Sequence, residues 1–118
     1  MNDTLNKLNQ VKLKSQQLEA WFGELEANVQ MNHFRNFVSQ HNILKNARMA
    51  IDMGGGCGSF ARRLSEETGL RVRVIDQDEK SIEYCRELNS DSVEATVGDA
   101  LNPKINGDED IICFNMVL

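Results

Sequence analysis

Residues 50–76 read AIDMGGGCGSFARRLSEETGLRVRVID, and the fold follows from how that stretch divides. Met49 to Met53 is a short apolar run broken only by Asp52, and it leads directly into Gly54-Gly55-Gly56-Cys57-Gly58. Ser59 to Thr68 then carries apolar residues at helical spacing, Phe60 and Leu64 among them, and halts at Gly69. A second apolar run, Val72 to Ile75, closes on Asp76. The order is strand, glycine turn, helix, strand.

Units of this shape bind nucleotide-like ligands at the carboxyl ends of parallel strands. Gly56-Cys57-Gly58-Ser59-Phe60-Ala61 satisfies the dinucleotide pattern G-x-G-x-x-A, and Asp76 follows at about the distance of the usual ribose acid. An NAD-binding dehydrogenase domain is therefore one reading. Asp52 argues against it: a carboxylate just ahead of the first glycine would repel a pyrophosphate seated on the helix N-terminus. A ligand with an ammonium and a sulfonium would instead be attracted, because opposite charges about 4 Å apart gain about 4 kcal/mol at intermediate dielectric. S-adenosylmethionine has both groups.

Asp52-Met53-Gly54-Gly55-Gly56-Cys57-Gly58 resembles the D/E-x-G-x-G-x-G signature of the class I, Rossmann-like S-adenosylmethionine-dependent methyltransferases. Asp76, the segment Val97-Gly98-Asp99-Ala100 and the acidic-then-apolar run Asp110 to Leu118 follow in that family's order, so the resemblance covers roughly residues 48–118. It implies an α/β fold in which a helical arm, 1–47, precedes a cofactor-binding core, 48–118, that stops after the fourth strand of a parallel sheet as an incomplete domain.

The resemblance also implies a site. Gly54, Gly56 and Gly58 would pass beneath the methionine part of S-adenosylmethionine, and Asp52 would attract its ammonium. Asp76 would accept from the ribose hydroxyls, since an ionised carboxylate offers two acceptor oxygens. Asp99 would accept from the adenine amino group, with Ala100 packing on the ring and Gln77 at its border. Asn115 would line the cleft near the reacting methyl group. Asn115 is followed by Met116-Val117-Leu118 rather than the Pro-Pro-Tyr of enzymes that methylate exocyclic amines of bases or glutamine amides, which disfavours that chemistry. A small-molecule acceptor is expected. No catalytic base is assigned, and a non-catalytic binding or assembly module of the same fold is the further alternative.

The 118 residues suffice for one small domain, and a net charge of −5 offers no broad phosphate-binding face, so nucleic acid is not expected as substrate. Three cysteines without metal-ligand spacing suggest reduced thiols and no metal, and the polar N-terminus lacks a signal-peptide core, so a cytoplasmic protein with no membrane association is expected.

Residues 3–46 read as helix, with Asp3 or Thr4 as N-cap, fraying in the first dozen residues and a break near Gly23. Leu18, Phe22, Leu25 and Val29 make an apolar stripe, continued by Phe34, Phe37, Val38 and His41, expected to pack on the sheet or on a second copy of the chain. The alternative places Trp21, Phe22, His33, Phe34, Phe37 and His41 toward substrate. Further on, Arg62 and Arg63 read as a solvated face, Ile82, Cys85 and Leu88 as one buried helix face, and Val93, Ala95 and Val97 as the core face of a third strand. Ile111 to Leu118 reads as a central strand covered on both sides.

Overall fold

In the computed structural model, residues 2–88, 91–99, 101–102 and 105–115 are described. The element order is α1 (Asn2–Gln40), β1 (Met49–Met53), α2 (Ser59–Thr68), β2 (Arg71–Asp76), α3 (Glu79–Leu88), β3 (Val93–Val97) and β4 (Ile111–Phe114). The strands pair in the order β3-β2-β1-β4, every pairing parallel. This is a Rossmann-like half-sheet preceded by a helix.

Side chains alternate across a strand, and that alternation sorts the core. Ala50, Val72 and Val74 face α2 and α3, where they pack with Phe60, Ala61, Leu64, Ile82 and Cys85. Ile51, Met53 and Ile75 form a smaller cluster on the opposite face. Each large aliphatic side chain removed from water in this way contributes about 1.5–3 kcal/mol. Asp52 falls on the same side as Ala50, toward the helices, and is buried with them. The acidic segment before β4 fixes the start of β1, because Asp110 Oδ2 accepts from the backbone N–H of Arg48 (2.7 Å) and Met49 (3.1 Å).

Several expectations are corrected. The arm is one continuous helix from Asn2 to Gln40, and it stops short of residue 46. Asp3 therefore lies within the first turn instead of capping it. Gly23 does not break the helix, because it is where α1 crosses the glycine loop: a Cβ there would lie 3.1 Å from Ser59 Oγ and 3.2 Å from Cys57 Sγ. The stripe of Leu18, Phe22, Leu25 and Val29 is about half exposed and does not pack on the sheet. The packing face runs through Gly23, Ala27, Met31 and Phe34, with Ala27 and Met31 fully buried and Phe34 edge-on to Phe60 at 6.3 Å. Small residues allow that close approach, and a stripe chosen by apolar size alone overlooks them.

Arg62 and Arg63 are not a solvated face either. Both grip Glu24 of α1, and with the bidentate Arg35–Glu67 pair they pin α1 along α2. Leu88 and Val97 are exposed, at 51% and 41%, so the helix and strand faces assigned to them end one position earlier. β4 has Ile111 and Cys113 against the core, but Ile112 and Phe114 are 41% and 63% exposed, so among the described residues it is an edge strand with one open face. Met116, Val117 and Leu118 lie outside the described residues.

Candidate functional site

In a sheet ordered β3-β2-β1-β4 the chain winds away from β1 in both directions, which opens a crevice beyond the carboxyl ends of β1 and β4. The glycine loop leaves β1 at that crevice and Asn115 leaves β4 there. Gly54, Gly56 and Gly58 all have positive φ, of 72°, 56° and 85°, values that a Cβ would make costly. Gly58 begins α2 without any side-chain cap, so the N–H groups of the first helical turn have no capping side chain. Gly54 N donates to Ile75 O at 2.7 Å and Gly58 N to Gly55 O at 3.0 Å, which closes the loop into a tight turn.

The cleft so formed has a volume of about 300 Å³. Its floor is Asp52, the glycine loop and Asn115; Cys57, Ser59 and Phe60 continue it along α2, and Ser81 of α3 closes one end. The opposite wall is α1, which presents Phe22, Gly23, Glu26 and Gln30. Of the residues proposed to face substrate, Phe22 alone lines this cleft. Trp21 packs edge-on against Phe22 at 5.1 Å, Phe37 lies against His41 at 4.4 Å, and Phe34 is taken up by Phe60.

Asp52 is the unusual group. It is 1% exposed, and neither carboxylate oxygen has a hydrogen-bond partner among the described residues. Burial pushes its pKa up to about 7; the neighbouring Asn115 amide opposes that rise, and the charge of Asp76 adds to it. Asn115 Nδ2 is likewise buried and without a hydrogen-bond partner among the described residues, so the amide lies near the carboxylate without hydrogen-bonding to it. Buried polar groups are ordinarily satisfied, and leaving one unsatisfied costs about 1–3 kcal/mol. Both residues line the cleft, and of the two orphaned groups the carboxylate is the one that suits a cationic ligand. Gly55 passes directly over the carboxylate: a Cβ there would collide with Asp52 Oδ2 and lie 2.8 Å from its Cγ. Cys113 is β4's register partner of Asp52; burial and then the Asp52 charge raise its pKa to about 12, so its thiol stays protonated.

The other described residues expected at the site, Gly58, Asp76, Gln77 and Asp99, are not among those lining this cleft. Asp76 Oδ2 accepts from Gly56 N (3.0 Å) and Oδ1 from Asp78 N (2.9 Å), so it latches the glycine loop to the start of α3. Each oxygen retains a lone pair for a second donor. Asp78 caps α3 through Lys80 N at 3.3 Å and Ser81 Oγ at 2.7 Å. Gln77 is exposed. Asp99 organises a turn, its Oδ1 accepting from Leu101 N at 2.9 Å. Ala100 lies outside the described residues. Sequence reasoning missed Gly55, Ser59, Ser81, Glu26 and Gln30. The last two were legible in principle, since Phe22, Glu26 and Gln30 recur every four residues and so share a helix face.

No protein-family model matches the sequence, and no curated protein matches it significantly. Solved structures do. A protein assigned as an S-adenosylmethionine-dependent methyltransferase from Methanococcus maripaludis superposes with a TM-score of 0.55 at 24% identity, over 66% of this chain and 37% of its own. A protein from Pyrococcus horikoshii OT3 gives 0.52 at 26% identity, over 66% and 37%. One assigned as a sarcosine dimethylglycine methyltransferase from Galdieria sulphuraria gives 0.55 at 18% identity, over 60% and 28%. The chain thus has the Rossmann-like fold of the class I methyltransferases. It spans 28% to 37% of the length of these neighbours.

The residues present fit the cofactor that this fold implies. An orphaned buried carboxylate, an uncapped helix N-terminus and a backbone that a Cβ would obstruct together suit a ligand carrying an ammonium and a carboxylate on one carbon.

Proposed function

We propose that the chain is the cofactor-binding part of an S-adenosylmethionine-dependent methyltransferase that acts on a small molecule. The observation that carries this reading is Asp52, buried at the floor of a glycine-loop cleft with both oxygens unpartnered among the described residues. Its charge would receive the ammonium of the cofactor's amino-acid end, while the N–H groups at the start of α2 would receive the carboxylate. The Asp76 carboxylate, fixed by two backbone N–H groups, would hold the ribose, and Asp99 would accept from the adenine amino group. A dinucleotide would bring its pyrophosphate toward Asp52 with no basic side chain to offset it, because none of the described residues lining the cleft is basic.

The cofactor supplies an activated methyl group, transferred by in-line displacement. What this chain would contribute is position: the glycine loop and α1 would flank the amino-acid end, and Asn115 lies at the β4 end of the cleft. Isothermal titration of the 118-residue chain with S-adenosylhomocysteine and with NAD tests the reading. Saturable binding of S-adenosylhomocysteine alone is expected. Binding of NAD alone, or of neither, would refute it.

A further inference from the structure

The cleft has a second acid, and the protein leaves it uncompensated. Most acids on the faces around it are matched: Glu24 by Arg62 and Arg63, Glu67 by Arg35, Glu94 by Arg71 and Arg73, Glu109 by Arg73. Glu26, half a turn beyond Glu24, lines the cleft opposite Asp52 and has no ion pair among the described residues. The arginines of α2 reach Glu24 and fix the rotation of α1, which turns Glu26 toward the glycine loop. Among the described residues no Lys, Arg or His lines the cleft. Two carboxylates therefore face one cavity, one of them buried and unpartnered.

We infer that Glu26 is a specificity-determining residue that makes the cleft prefer the positively charged sulfonium form of its ligand over the neutral thioether left after methyl transfer. This rests on the cofactor reading above. The two ligand forms share the nucleoside and the amino-acid end, so contacts to those parts cancel in their affinity ratio. The methyl group and its formal charge remain. A carboxylate in the wall of a half-solvated cleft of this size would change the ratio by roughly three- to tenfold. The arm would then help discharge product, since loss of the sulfonium charge removes one of its attractions.

The test is calorimetric titration of wild type and Glu26→Gln with S-adenosylmethionine and S-adenosylhomocysteine. The variant is expected to weaken S-adenosylmethionine by roughly three- to tenfold and leave S-adenosylhomocysteine nearly unchanged. In wild type, raising salt is expected to erode S-adenosylmethionine affinity more than S-adenosylhomocysteine affinity, because a partly exposed charge is screened. An unchanged ratio in Glu26→Gln, or equal losses for both ligands, overturns the role of Glu26 while leaving the cofactor reading intact. Should the variant lose its helical circular dichroism, the wild-type salt series decides, and a salt-independent ratio overturns the inference. If wild type binds neither ligand, the cofactor reading itself fails.

Discussion

Replacing Asp52 with Asn should stabilise the ligand-free protein while weakening its ligand binding. The carboxylate is buried without a hydrogen-bond partner among the described residues, and its pKa rises from 3.8 to about 7, chiefly through desolvation. The folded state therefore holds the Asp52 proton more tightly than the unfolded chain does. Its contribution to stability is fully present below pH 4 and is lost as pH rises toward 7. A displacement of this size corresponds to about 4 kcal/mol, an upper bound that is reached above pH 7. Asparagine keeps the shape and carries no charge at any pH. Urea unfolding of both proteins at about pH 4, 6 and 8, followed by circular dichroism, is expected to give nearly equal stabilities at the lowest pH. At about pH 8 Asp52→Asn should be the more stable by about 2–4 kcal/mol. Taking the difference removes the opposing slopes of Glu24, Glu67, Glu109 and Asp110, whose pKa values are lowered. The same variant should lose about 2 kcal/mol or more of affinity for S-adenosylhomocysteine, the usual cost of deleting one partner of a buried charge pair. Equal stabilities at the highest pH, or a variant that binds as tightly as wild type, would refute the reasoning.

Three further outcomes follow from the packing. Gly55→Ala should destabilise by about 1–3 kcal/mol in denaturant unfolding and weaken ligand binding as well, because its Cβ would lie 2.8 Å from Asp52 Cγ and 3.0 Å from Val74 Cγ1. Gly23→Val should cost about 1–3 kcal/mol by prising α1 from the glycine loop, where Ser59 Oγ and Cys57 Sγ already stand 3.1 and 3.2 Å from the added carbon; a variant as stable as wild type would sink the crossing-point account. Glu24→Gln should lower stability by about 1 kcal/mol at neutral pH. In Glu24 the upward push of burial is outweighed by Arg63 and Arg62, so its pKa is lowered; the stabilisation should be present above the usual carboxylate range and vanish as pH falls below it, which thermal melts at about pH 7 and pH 3 would reveal.

Much of the core was legible because it rests on local chemistry. The bounds of β1, α2 and β2 were readable from Asp52, the glycine loop, Gly69 and Asp76, each of which acts on backbone within a few residues. The arm was misread wherever its role depends on what it touches. Arg62 and Arg63 look like any exposed pair until Glu24 of a distant helix comes into reach. Gly23 looks like a helix breaker, and only the nearness of Ser59 and Cys57 shows it to be a contact. The expectation that the apolar stripe packs on the sheet failed for a related reason. Size favours Leu18, Phe22, Leu25 and Val29, but two helices approach most closely where side chains are smallest, at Gly23 and Ala27.

Asp52 carries that distinction one step further. Local pattern placed it at the end of a strand beside a glycine loop, and a local rule would expect it at the rim, hydrated. Instead the strand's alternation turns it inward, Gly55 covers it, and Cys113 of β4 and Asn115 just after that strand flank it. A buried carboxylate with no hydrogen-bond partner among the described residues is a poor choice for stability alone, since a neutral side chain of the same shape would fold better. Its presence makes sense if the missing interaction arrives with a ligand, so that energy withheld from folding becomes available to binding. Saturating S-adenosylhomocysteine should then raise the Tm of wild type appreciably and that of Asp52→Asn far less, narrowing or reversing their order at about pH 8. If the ligand raised both equally, Asp52 would be a defect tolerated by the fold and the cleft would owe its affinity to other groups.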